Sequence, residues 1–145
     1  MTALADLEVG ASRTVVLVDD LTRTRIVQYA GASGDFNPLH TDETFAKEVA
    51  KSPGVFAHGM LTMGMTARAV TDWIGEERLT GIGVRFTAQV WPGDTLTATV
   101  TVTEVSDGRA RFEITTINQD GAVVLSGSAS GRVGAQPRPP RAEEQ

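Results

Sequence analysis

Two periodicities divide the chain. From position 82 to 133, apolar residues recur mostly at every second position, the spacing of half-buried strands. Ile82, Val84, Phe86, Ala88 and Val90 alternate with Gly83, Arg85, Thr87 and Gln89. Leu96, Ala98, Val100 and Val102 alternate with threonines at 95, 97, 99, 101 and 103. Turn-forming residues at 91–94, 106–108 and 119–121 separate these runs from two more strands, over 109–118 and 122–133. The pattern predicts four successive strands joined as an antiparallel meander with one apolar face. A β-branched run at 14–18 predicts a further strand.

Upstream the period lengthens. Residues 22–33 read as a helix with Thr22 as its N-cap and Ile26, Val27, Tyr29 and Ala30 on its apolar face. Residues 42–50 read as a short helix with Asp42 and Glu43 in the first turn, where the helix dipole favours negative charge. Residues 51–57 are a loop by composition, and 58–74 read as a long helix closed by Gly75. Met60, Leu61, Met63 and Met65 point to several sides of that helix. A helix apolar on most sides is enclosed. The expected class is therefore α+β, a long central helix wrapped by a curved antiparallel sheet of five or more strands. One sheet edge or helix face stays open in such a unit, and a second chain would cover it.

Composition narrows the chemistry. The 145 residues suit one domain, with the folded part expected over 1–133 and a polar, proline-rich, disordered tail over 134–145. No cysteine is present, which excludes disulfides, thiolate nucleophiles and Cys-based metal centres. A net charge of −5 with scattered arginines excludes a nucleic-acid binder. With no long apolar run and no basic-plus-apolar leader, no membrane association and a cytoplasmic location are expected. Only His40 and His58 have side chains that ordinarily titrate near neutrality.

The stretch from Tyr29 to Ala46 is the most informative. Asp35 and His40 lie five apart in a loop stiffened by Pro38. A carboxylate and an imidazole presented from one rigid loop hold a water molecule between them and move its protons. Gly34 permits unusual backbone geometry beside Asp35, and Asn37 fixes the loop through backbone hydrogen bonds. Taken alone, such a turn is more often only a turn, and a histidine before a helix only solvated. A second element adds weight. His58 and Gly59 open the central helix, where free N–H groups and the positive dipole end form an oxyanion site. A proton-transfer pair facing an oxyanion site is the minimum equipment for adding water across an activated double bond. Asp35, His40, Asp42 and His58 are also chemically able to ligate a metal, but no metal is expected. Tyr29, the only tyrosine, reads as packing.

The segment SGDFNPLH (33–40), followed after five residues by Ala46, resembles the hydratase-2 motif of the MaoC-like family of (R)-specific enoyl-CoA hydratases and (3R)-hydroxyacyl-thioester dehydratases. AHGMLTMGM (57–65) and VRFTAQVWPGDTL (84–96) are similar to that family's helix and strand signatures, in the same order. The resemblance extends to the catalytic subunit of mycobacterial-type (3R)-hydroxyacyl-ACP dehydratases. It departs from the common pattern at Ala32, Gly64 and Gln89, away from the proposed pair. It implies a single hot-dog fold, dimeric, with Asp35 and His40 as the catalytic pair. It further implies Gly59 as the oxyanion donor, with Asn37 and His58 completing the substrate-binding part of the site.

The implied activity is reversible hydration of trans-2-enoyl thioesters to (3R)-hydroxyacyl thioesters, with no cofactor. The partner is an acyl thioester of coenzyme A or of acyl carrier protein; the acidic chain favours coenzyme A. Arg68, Arg78, Arg85 and Lys51 are candidates for phosphate contacts. A homodimer, or a heterodimer with a second hot-dog subunit, is expected. The alternatives are a non-catalytic hot-dog subunit or acyl-thioester binding module, and a hot-dog thioesterase. A cystatin-like isomerase fits less well, since it relies on tyrosine chemistry. Which of Met60, Met63, Met65, Val70 and Trp73 line an acyl pocket is left open by the sequence.

Overall fold

The strand closest to the N-terminus starts by borrowing hydroxyls. On β1 (Ser12–Val18), Ser12 and Thr14 meet Thr101 and Thr99 of β3 (Leu96–Ser106) through side-chain hydrogen bonds of 3.1 and 3.2 Å. These outward threonines leave Leu96, Ala98, Val100 and Val102 facing inward and buried, as the alternation predicts. In this computed structural model, which describes residues 7–134, β3 continues antiparallel to β4 (Arg109–Ile117) and β4 to β5 (Val123–Arg132). The long helix α2 (Gly59–Ile74) lies in contact with all five strands. Ala69, Val70 and Ile74 of α2 pack with Val100, Phe112 and Ile114 in one core cluster. Full burial of Phe112 alone contributes about 1.5–3 kcal/mol.

Two expectations about the sheet need correction. The strand after α2, β2 (Leu79–Phe86), does not pair with β3 as a four-strand meander requires. It pairs with β5, so that the order is β1-β3-β4-β5-β2 and only β3 to β5 form a meander. The strand also ends at Phe86 rather than running to Val90. Beyond it, the Val90 carbonyl accepts the Ala57 N–H (2.8 Å), so this stretch braces the start of α2 instead of extending the sheet. The turn that follows is closed by Asp94, whose Oδ2 accepts the Trp91 N–H at 2.9 Å.

The helices also differ in detail. α1 (Arg23–Ser33) starts at Thr22, whose hydroxyl accepts the Arg25 N–H (3.1 Å), but it buries only Ile26 and Ala30 and leaves Val27 exposed. The segment expected to be an ordinary helix over 42–50 is wound in wider π-turns across Phe45–Val49, with the Ala50 N–H reaching the Phe45 carbonyl at 3.0 Å. α2 is not enclosed on most sides. Its buried face carries Thr62, Thr66, Ala69, Val70 and Ile74, whereas Met60 is exposed. The hydroxyls of Thr66 and Thr116 meet at 2.7 Å inside the fold, which lets a polar pair occupy apolar surroundings. The expected tail lies outside the described residues apart from Gly134, whose N–H is held by the Gly108 carbonyl at 3.1 Å.

Glu43 ties α1 to the segment after the candidate loop. It receives Arg23 Nη1 at 2.6 Å and Lys47 Nζ at 3.2 Å, and its Oε1 lies 2.8 Å from where a Cβ on Gly54 would sit. The Arg23 hydrogen bond, helped by Lys47, holds the Glu43 carboxyl below its ordinary value of 4.5. A depressed carboxylate pKa stabilises the folded state above the unfolded value, and that contribution is lost as pH falls through the folded value. We therefore expect Glu43→Gln to lower stability modestly at neutral pH. The difference from the parent should vanish well below pH 4.5, as read from urea denaturation across pH.

A second prediction concerns the β5–β2 seam. A Cβ on Gly127 would lie 2.0 Å from the Gly83 carbonyl oxygen and 2.8 Å from the Val84 Cα, both backbone atoms. Gly127→Ala should therefore cost at least about 2 kcal/mol in chemical denaturation. Its effect should concentrate in amide exchange of β2.

Candidate active site

Asp35 is delivered by the end of α1. Gly34 takes a left-handed conformation (φ 76°) and returns its N–H to the Ala30 carbonyl, which stops the helix and turns the chain outward. A relay of side-chain turns then shapes the loop. The Asp35 N–H donates to Ser33 Oγ (3.2 Å), the Asn37 N–H to Asp35 Oδ1 (3.2 Å) and the Leu39 N–H to Asn37 Oδ1 (3.0 Å). Pro38 opens a single 3₁₀ turn that ends on His40. Asp42 is not part of the site: its Oδ1 accepts the Phe45 N–H at 3.0 Å.

His40 is 9% exposed, and its Nδ1 lies 2.6 Å from the Phe56 carbonyl. A carbonyl only accepts, so Nδ1 carries the hydrogen and the neutral ring keeps its lone pair on Nε2. His58, 2% exposed, caps α2 without a side-chain cap bond. Its Nε2–H donates to the Asp35 carbonyl at 3.0 Å, and its Nδ1 has no partner among the described residues. The two imidazoles stack with centroids 3.8 Å apart and planes at 26°. Tyr29 meets His58 edge-on at 4.8 Å, and Phe56 meets His40 edge-on at 5.3 Å. Both rings are thus fixed in position, orientation and tautomer.

Asp35, His40 and His58 bring potential ligand atoms within 4.8 Å of one another. Each imidazole has one ring nitrogen occupied by a backbone carbonyl. The remaining lone pairs, on His40 Nε2 and His58 Nδ1, lie in the planes of the two stacked rings. The geometry suits proton transfer by an exposed carboxylate beside a sheltered imidazole.

Gly59 is the first residue of α2, and the first intrahelical bonds run from the Leu61 and Thr62 N–H groups to the His58 carbonyl. The Gly59 N–H therefore sits among the free donors of a helix N-terminus. Beside it lies a cleft of about 230 Å³ bounded by Phe56, Thr62, Phe86, Val90 and Val124. None of Met60, Met63, Met65, Val70 or Trp73 lines it. Of the proposed phosphate contacts, Arg78 is taken up by the Arg132 and Gly134 carbonyls, and Arg68 faces Asp72 at 3.6 Å. Phe56, Phe86 and Thr62 were not visible as site residues in the sequence. Phe56 acts through a backbone carbonyl, Phe86 sits at a strand end, and Thr62 looks like any helical threonine.

Known proteins similar to this chain identify its family. The family model of the MaoC like domain matches residues 6–122. The 3-hydroxyacyl-thioester dehydratase Y of Mycobacterium tuberculosis is 41% identical over 103 residues, covering 67% of this chain and 35% of its own length. The chain thus spans about a third of that mycobacterial relative. The (R)-specific enoyl-CoA hydratase of Rhodospirillum rubrum is 33% identical over 139 residues, covering 90% of this chain and 91% of its own. Among solved structures, R-hydratase PhaJ1 from Pseudomonas aeruginosa superposes with a TM-score of 0.80 at 28% identity, over 98% of this chain and 96% of that one. A long helix against a five-stranded antiparallel sheet, the Asp35–His40 loop and these matches together establish the chain as a member of the MaoC-like family, with the hot-dog fold.

Proposed function

We propose that the protein adds water reversibly to trans-2-enoyl thioesters, giving (3R)-hydroxyacyl thioesters. The observation that carries this reading is the Asp35 carboxylate beside a His40 ring whose tautomer is set by the Phe56 carbonyl. Water held between Asp35 and His40 Nε2 adds its oxygen to C3, while one proton passes through the pair to C2. The elements of water are thus added across one face, and dehydration runs the same steps in reverse. Negative charge developing on the thioester oxygen is met by the Gly59 N–H and the positive end of α2. Asn37 and His58 hold the loop and the helix start in register. The site residues need no metal or redox cofactor for this chemistry.

The proposed substrate is an acyl thioester of coenzyme A or acyl carrier protein, and the proposed compartment is the cytoplasm. No helix among the described residues is long and apolar enough to cross a membrane. A dimer belongs to the same proposal. β2 is an unpaired edge of the sheet, and Phe36, Met60 and Phe86 are exposed apolar side chains on the candidate loop, the first turn of α2 and the end of β2. A homodimer, or a heterodimer with a second hot-dog chain, would cover them.

Asp35→Asn and His40→Ala are each expected to lower hydration of an enoyl-CoA by at least about 100-fold, the scale of general acid–base catalysis. Near-parent turnover in either folded variant would remove that residue from the mechanism. Measuring free thiol release in parallel separates hydration from thioester cleavage, and a purely binding subunit would show neither. Light scattering should report a dimer of this chain, or a monomer that gains both mass and activity with a second hot-dog subunit.

A further inference from the structure

Two threonines one turn apart are buried on α2, and they differ in one respect. Thr66 Oγ1 donates to the Thr62 carbonyl at 3.0 Å or to Thr116 Oγ1 at 2.7 Å. Thr62 is 2% exposed, yet its own hydroxyl has no hydrogen-bond partner among the described residues. A buried hydroxyl left unpaired costs stability, so its persistence calls for a reason.

Its place in the fold supplies one. Thr62 lies three residues after Gly59, on the same face of α2. Helical side chains lean toward the helix N-terminus, so that of Thr62 extends over the turn that starts at Gly59. Gly59 has no Cβ to intervene, and both residues line the same cleft of about 230 Å³. The rest of that cleft is mainly apolar, with Phe56, Phe86, Val90 and Val124 in its wall. The wall also contains an aromatic ring close to Gly59. The Phe86 ring, on a residue 47% exposed, lies 3.0–3.2 Å from where a Gly59 Cβ would be.

On the hydratase reading above, we propose that Thr62 is a substrate-contacting residue whose hydroxyl joins the Gly59 N–H in binding the thioester oxygen. An enoyl thioester presents one strong acceptor, its carbonyl oxygen, and a mainly apolar cleft offers it few other donors. The oxygen gains negative charge as water adds, so a donor placed there binds the transition state more tightly than the substrate.

The test compares the parent with Thr62→Val and Thr62→Ser on an enoyl-CoA substrate, with thermal unfolding measured alongside. Valine keeps the shape and removes an unpaired hydroxyl, so the melting temperature should stay the same or rise. kcat should fall about 100-fold with KM little changed, the signature of an interaction made mainly in the transition state. Thr62→Ser should stay within a few-fold of the parent. Three results overturn the assignment: parent-like kcat in Thr62→Val, equal loss in Thr62→Ser, or a fall in melting temperature that accompanies lost activity in Thr62→Val. The last would mean that the hydroxyl pairs within the protein, for example with the unpartnered Nδ1 of His58. An inactive parent would instead count against the hydratase reading itself.

Discussion

The hydrogen bond from His58 Nε2 to the Asp35 carbonyl, 3.0 Å long, joins two parts of the chain that are 23 residues apart. One part is the loop that carries the carboxylate and the imidazole; the other is the N-terminus of α2. Burial of His58 shields its end of this bond from water, which strengthens it. The same ring stacks on His40 at 3.8 Å. A single imidazole therefore sets where the Asp35 backbone sits and where the His40 ring lies. Proton transfer and charge stabilisation need their groups placed together to within fractions of an ångström, and this bond holds the two halves in one frame.

That frame is rigid because each support is tied to the core. The Phe56 carbonyl orients His40, the adjacent Ala57 N–H is bonded to the Val90 carbonyl, and Phe56 meets Trp91 edge-on at 5.9 Å. Farther along α2, Ala69, Val70 and Ile74 are packed against the sheet. The helix start is thus anchored by the β2–β3 connection on one side and by the apolar core at its other end. Asp35 remains exposed to solvent on this fixed base.

Much of this was legible in the residues. Alternation around Val100 and Val102 marked β3 correctly, because one face of that strand is buried and the other is not. Thr22 marked the start of α1 through local capping chemistry, which depends on neighbours in the chain. The loop from Asp35 to His40 stood out because turn formers, a carboxylate and an imidazole coincide there. The methionines of α2 misled: Met60 is exposed, and threonines occupy buried positions because Thr116 across the core supplies a partner for Thr66. No property of Thr66 alone announces that partner, and none of Thr62 announces its absence.

By itself the sequence determined the spans of most elements, the pairing of Asp35 with His40 in one loop, and the presence of Gly59 at a helix start. These follow from short-range rules: side-chain period, capping and turn chemistry. The tertiary structure alone decided that β2 lies beside β5, that each histidine uses a different ring nitrogen to bind a backbone carbonyl, and that Phe86 lies over Gly59. Each of these depends on groups far apart in the chain meeting in space. Periodicity records which face of an element is buried, but not what it is buried against.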